Sequence, residues 1–97
     1  MPRRPRHPKP DGNQRWMVEE LRQCGLVVLD ISSLGGECLD LMVGDPTQNR
    51  WLQVEVKTDA GTLTTGEARY IERFGAFLPI VVARSARDVL IAIERTT

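Results

Sequence analysis

Three charged residues, Asp40, Glu55 and Lys57, stand among alternating aliphatic residues in the stretch LDLMVGDPTQNRWLQVEVK, Leu39 to Lys57. Two strands joined by the turn-rich GDPTQN put Leu39, Leu41 and Val43 on one face, with Leu52, Val54 and Val56 beside them. The opposite face receives Asp40, Met42, Gln53, Glu55 and Lys57. A turn centred so that Val43 faces Leu52 pairs Leu41 with Val54 and sets Asp40 opposite Glu55, whereas a shift of two residues keeps the faces and loses that pairing. Directly opposed residues have Cβ atoms about 4.5–5.5 Å apart, and like charges so placed are destabilising unless something positive sits between them. A divalent cation meets that need. Two carboxylates and a backbone carbonyl are hard oxygen ligands, which Mg²⁺ takes at about 2.0–2.1 Å while keeping several waters. Lys57 then presents its ammonium beside the cation without binding it. Taken alone, a Glu-x-Lys strand is also what a solvated, salt-bridged surface looks like.

The elements that must position these residues are legible from periodicity. QRWMVEELRQ (Gln14 to Gln23) has Met17, Val18 and Leu21 at helical spacing, with Asp11 or Asn13 as candidate caps and Gly25 as the stop. Gln14 falls one turn before the apolar residues and on their face, at its rim. LVVLDI is a first strand leading into the loop SSLGG, and CLDLMV and RWLQVEVK are the second and third. Thr64 and Glu67 have capping-box spacing ahead of a second helix that carries Ile71 and Phe74. FLPIVVA then predicts a fourth strand, and SARDVLIAIER a closing helix capped by Ser85. The order is αβββαβα, an α/β mixed sheet with helices packed against it.

A chain of 97 residues with 41% hydrophobic and 27% charged content is one soluble globular unit with a thin core. Its longest aliphatic runs are too short to span a bilayer, so nothing points to secretion or a membrane and a cytoplasmic location is expected. Cys24 and Cys38 are too few for a disulfide framework and are expected to be reduced, buried thiols. Net charge is zero, yet Arg3, Arg4, Arg6 and Lys9 all lie in the first ten residues, and all 13 acids lie after them. Residues 1–10, with four prolines, are expected to form an extended basic arm, either a solubilising leader or a grip on phosphate; residues 11–97 form the single domain.

LDLMVG, LQVEVK and LTTGEARY together resemble the PD-(D/E)xK nuclease superfamily. The likeness is to its small phage and archaeal branch of Holliday-junction-resolvase-like and virus-type replication-repair nuclease (VRR-NUC) domains, over roughly Asp11 to Leu90. The family's first motif is usually Pro-Asp and here is Leu39-Asp40; the second matches as Glu55-Val56-Lys57. The resemblance implies a restriction-endonuclease-like core with a mixed central sheet flanked by helices, and an endonuclease dependent on Mg²⁺ or Mn²⁺. Asp40, Glu55 and the Val56 carbonyl would bind the metal, Lys57 would be the catalytic lysine, and Gln14 would point toward the site. Glu67 stands where the family often has Gln; a substrate contact and a plain helix cap both remain open for it.

Such an enzyme would act on DNA, and its affinity would come from local basic residues because the body is acidic. Arg69 and Arg73 on the second helix, the basic arm, and Arg84 and Arg87 near the last helix are the candidates. Symmetric cutting of a branched substrate requires a two-fold homodimer, and a replication or packaging protein is a further expected partner. A nucleic-acid-binding or assembly module without catalysis is the alternative. An interaction protein whose acidic body binds a basic partner ranks last.

Overall fold

The structure, a computed structural model, describes residues 10–34 and 39–95, and side chains from Asn13 onward. Arg3, Arg4, Arg6, Lys9, Glu37 and Cys38 lie outside the described residues. The elements run α1 (Pro10–Gln23), β1 (Val27–Asp30), a 3₁₀ turn (Ser32–Leu34), β2 (Leu41–Asp45), β3 (Arg50–Val56), α2 (Thr65–Phe74), β4 (Ile80–Ala83) and α3 (Ala86–Arg95). The αβββαβα order expected from periodicity is the order observed. It forms an α/β fold with one open, mixed, four-stranded sheet in the order β1-β2-β3-β4, antiparallel except for the parallel β3/β4 pair.

Helix α1 begins about one turn earlier than the apolar periodicity suggested. Proline suits a first helical turn because its missing N–H has no intrahelical partner there. Asp11 and Asn13 therefore lie inside the helix and not before it, which corrects their reading as caps. At the other end Gly25, at φ 87°, closes α1 as expected. The Leu26 N–H reaches back to the Leu21 carbonyl at 3.2 Å and the Gly25 N–H to that of Arg22 at 3.0 Å, the paired bonds of a glycine-terminated helix. Cys24, in that exposed terminal turn, is a free and exposed thiol and not the buried one expected.

The hairpin register is the one anticipated: Val43 pairs with Leu52 and Leu41 with Val54. The shared face of these residues is the core. Leu41, Val43, Leu52 and Val54 are buried against Met17, Val18 and Leu21 of α1 and Ala86, Val89 and Ile93 of α3, and Leu39 is buried as well. Both helices thus cover one face of the sheet, at about 25 cal/mol for each Å² of apolar surface removed from water. The second face carries Val27 and Leu29 of β1, Met42 of β2, Trp51, Gln53 and Glu55 of β3, and Ile80 and Val82 of β4. Val27, Leu29 and Trp51 are exposed there. Helix α2 lies at this second face through Tyr70, whose hydroxyl donates to Gln53 Oε1 at 2.6 Å, yet α2 buries none of its residues. At the sheet's outer edge Arg22 Nη2 donates to the Val28 carbonyl at 2.8 Å.

Strands β2 and β4 are shorter than their apolar runs. β2 starts at Leu41, because the chain leaves the ladder at Asp40, and β4 starts at Ile80, after Pro79, which has no N–H to donate.

Candidate active site

The site is built where β2 departs from β3. The Asp40 N–H donates to the Val54 carbonyl at 3.1 Å although Leu41 is Val54's partner, so two residues of the incoming chain meet one of β3. This small bulge turns the Asp40 side chain along the sheet edge, where its Oδ2 accepts from the Val56 N–H at 2.8 Å. Asp40 therefore does not stand directly across from Glu55 as the register alone suggested. It substitutes for a missing backbone acceptor one residue further along, and it remains close enough for its charge to act on Glu55.

Glu55 points to the second face and is only 3% exposed. Lys57 comes next on the same face, its ammonium 3.3 Å from Glu55 Oε2 and 2.8 Å from Glu67 Oε1. Glu67 comes from the first turn of α2 and takes two structural parts at once, a helix cap and a partner for Lys57. Its Oε1 accepts from the Thr64 N–H at 2.8 Å while Thr64 Oγ1 accepts from the Glu67 N–H at 3.1 Å, a complete capping box, and the same oxygen holds Lys57.

Three carboxylates and one ammonium share this end of the sheet. Burial, the Glu67 carboxyl beside it and the charge of Asp40 push the Glu55 carboxyl up to about 8, against the pull of Lys57. Burial also works against Glu67, but hydrogen bonds from the Glu55 carboxyl, Lys57 and the Thr64 N–H hold it down to about 2. For Lys57, burial favours the neutral amine, yet its two carboxylate partners win and raise its pKa above the ordinary lysine value. At neutral pH the Glu55 and Glu67 pair thus keeps one proton between them, and Lys57 stays charged.

Gln14 is not among these contacts. Its amide donates to Asp30 Oδ2 at 3.0 Å and to Ser32 Oγ at 3.2 Å, at the end of β1 where Asp30 pairs with Leu41. Burial would raise the Asp30 pKa, but hydrogen bonds from Ser32 and Gln14 hold it below the usual carboxylate range. Gln14 and Asp30 line a groove of about 540 Å³ together with Arg15, Glu19, Arg22 and Ser32, a set that does not include Asp40, Glu55 or Lys57. The neighbouring residue reaches the site instead: Asn13 Nδ2 donates to the Lys57 carbonyl at 3.2 Å. A pocket of about 160 Å³ opens there, lined by Asn13, Val56, Lys57, Thr58 and Gly61.

Of the basic candidates, Arg69, Arg73 and Arg87 are exposed, with the Arg73 guanidinium over the Phe74 ring at 5.1 Å. Arg84 is engaged internally, its guanidinium on the carbonyls of Thr58, Asp59 and Gly61. Sequence reasoning missed Asn13, the Tyr70–Gln53 bond and this grip of Arg84. Tyr70 was within reach, one turn after Glu67 on the same helix face; Arg84 sits in no periodic pattern that would mark it.

Among the described residues, no group of three or more His, Cys, Asp or Glu side chains forms a ready metal cage. Among them too, no helix is long and apolar enough to cross a membrane. No family model, curated protein or solved structure matches the chain.

Proposed function

We propose that the chain is a metal-dependent DNA endonuclease on a restriction-endonuclease-like core, hydrolysing phosphodiester bonds in branched or nicked DNA. The observation that carries this reading is the convergence of Asp40, Glu55 and Lys57 at the point where β2 leaves β3, with Asp40 fixed by the Val56 N–H. A carboxyl 3% exposed beside two other carboxylates opposes folding, and such groups concentrate at functional sites.

The donor set fits a hard cation. Asp40 uses one carboxylate oxygen on Val56, which leaves Oδ1 on the same side, and a strand residue's C=O lies on the same side as its N–H, so the Val56 carbonyl shares that edge. Asp40, Glu55 and the Val56 carbonyl would hold Mg²⁺ or Mn²⁺, with water and phosphate oxygens filling the remaining positions. When bound, the ion would polarise the scissile phosphate and lower the pKa of a water. The rest falls to this chain's own residues. Glu55, with its shared proton passed to solvent, would be a ligand as the carboxylate. Lys57, released from part of its carboxylate pairing, orients the attacking water and offsets charge on the transition state. Glu67 retains the start of α2, so that Lys57 moves against a fixed wall.

A two-fold homodimer suits a symmetric substrate, and the end of α2 offers a surface for it: Tyr70, Phe74 and, just past the helix, Phe77 follow one another with tilted and edge-to-face rings at 4.8 and 6.0 Å, and Phe77 is 70% exposed. The same exposed apolar surface favours a second reading, an assembly or nucleic-acid-binding module that engages a replication or packaging protein in a phage-infected host cell. Cleavage of a labelled panel (four-way junction, flap, nicked duplex, single strand) with Mg²⁺ or Mn²⁺ separates the two. The endonuclease cuts and Lys57→Ala does not; equal background from both proteins, with DNA still bound, supports the module.

A further inference from the structure

Lys57 is the first residue beyond β3, and the chain has no regular structure from there to α2. The Lys57 backbone is nevertheless fixed on both sides. Its N–H donates to the Ala83 carbonyl at 2.9 Å, and its own carbonyl accepts from Asn13 of α1 at 3.2 Å. Residues 58–61 then form a tight turn, closed by the Gly61 N–H on the Thr58 carbonyl at 3.0 Å. The turn is compact enough that a Cβ on Gly61 would lie 3.2 Å from Thr58 Oγ1.

Arg84 enters the mouth of this turn from the end of β4. Its Nη1 donates to the carbonyls of Thr58 and of Gly61, the latter at 2.9 Å, and approaches that of Asp59 at 3.5 Å. Its backbone N–H is tied to Asp88 Oδ2 at 2.8 Å, at the start of α3. Nη1 carries two N–H groups, enough for the carbonyls of Thr58 and Gly61 that converge from the one turn.

We propose that Arg84 is a positioning residue for Lys57. By gripping residues 58–61 it fixes where Lys57 leaves β3 and where the chain turns into α2, and so sets the ammonium between Glu55 and Glu67. This rests on the reading of Lys57 as the working lysine. It also commits Nη1 of Arg84 to the fold, so that a phosphate contact would fall to Nε and Nη2. The pocket beside Lys57 is walled by the same turn, through Thr58 and Gly61, and by Asn13.

The test compares native protein, Arg84→Ala and Arg84→Lys, using Mn²⁺-dependent cleavage, backbone amide exchange, and acetylation of Lys57 followed by mass spectrometry. Lys57 and Lys9 are the two lysines of the chain, so Lys9 serves as the internal reference. In Arg84→Ala the Gly61 amide exchanges faster while the amides of Leu41 and Val54 do not, and Lys57 is acetylated several-fold faster relative to Lys9. Then kcat falls by about 10- to 100-fold, the scale of a small misplacement of a catalytic group, while KM stays within about two-fold. Arg84→Lys lies between. A raised KM with a shallower salt dependence and unchanged kcat would make Arg84 a phosphate contact and overturn the proposal. Unchanged Gly61 exchange and Lys57 acetylation would overturn it as well. Should the native protein cut no substrate, the nuclease reading fails, and exchange and acetylation alone decide whether Arg84 sets Lys57. Should Arg84→Ala fail to fold, Arg84→Lys carries the same comparisons.

Discussion

The carboxylate of Asp40 accepts a hydrogen bond from the backbone N–H of Val56 at 2.8 Å, so an acidic side chain completes the ladder that β2 abandons. That one contact gives Asp40 a structural part and a chemical one, and two substitutions separate them. Asp40→Asn keeps an acceptor for Val56 and is expected to fold with near-native stability, whereas Asp40→Ala leaves a partly buried N–H unpaired at about 1–3 kcal/mol. Mn²⁺ is expected to raise the melting temperature of the native protein, and both substitutions to abolish that rise. A metal-induced shift that survives in Asp40→Asn would count against the proposed ligand set.

Glu67→Gln preserves the capping box, since glutamine serves at that position as glutamate does. It removes both the hydrogen bond and the charge by which Glu67 lifts Glu55. The Glu55 carboxyl is expected to fall well below about 8 while remaining above its ordinary 4.5, because burial is unchanged. Carbon-detected NMR titration of the glutamate carboxyls reads this directly, and an unmoved Glu55 would show that burial alone sets it.

The two carboxyls give the fold opposite pH dependences. Glu55, at about 8 folded against 4.5 in an ordinary carboxyl, holds a proton that the unfolded chain releases, so stability declines as pH rises from 4.5 to 8. Glu67, at about 2, contributes stability that is present above 4.5 and lost as pH falls toward 2. Urea midpoints measured across both windows are expected to decline toward each end. In Glu55→Gln the alkaline decline flattens and the acid one stays; a native profile already flat from 4.5 to 8 would refute the Glu55 assignment.

The two faces of the sheet differ in what they contribute. Leu41 is fully buried between the sheet and its helices, and Leu41→Ala is expected to cost about 2–5 kcal/mol in chemical denaturation. Leu29, 49% exposed on the other face, is expected to change stability by no more than about 0.5 kcal/mol when replaced by alanine. Equal losses would mean that the second face is covered in solution, as a dimer or a bound partner would make it.

The hairpin was readable because a two-residue alternation puts Leu41, Val43, Leu52 and Val54 on one face, and a turn centred in GDPTQN sets Val43 opposite Leu52. The cap at Thr64 was readable because its spacing to Glu67 is local chemistry. The departure of Asp40 from the ladder was not, since nothing in LDLMV distinguishes a residue in the strand from one at its bulge. Arg84 illustrates the larger limit. Residue type and charge alike suit a phosphate contact, and only the return of the chain from residue 58 to residue 84 reveals carbonyls waiting for it. Asn13 likewise has a cap's chemistry, but Pro10 starts the helix ahead of it.

The bond from Arg22 to the Val28 carbonyl bears on how copies of this chain meet. Val28 is a residue whose backbone points away from β2, so its carbonyl is where a foreign strand would dock, and a guanidinium already occupies it. A strand added at that edge would have to displace the guanidinium, which disfavours growth of the sheet from molecule to molecule there.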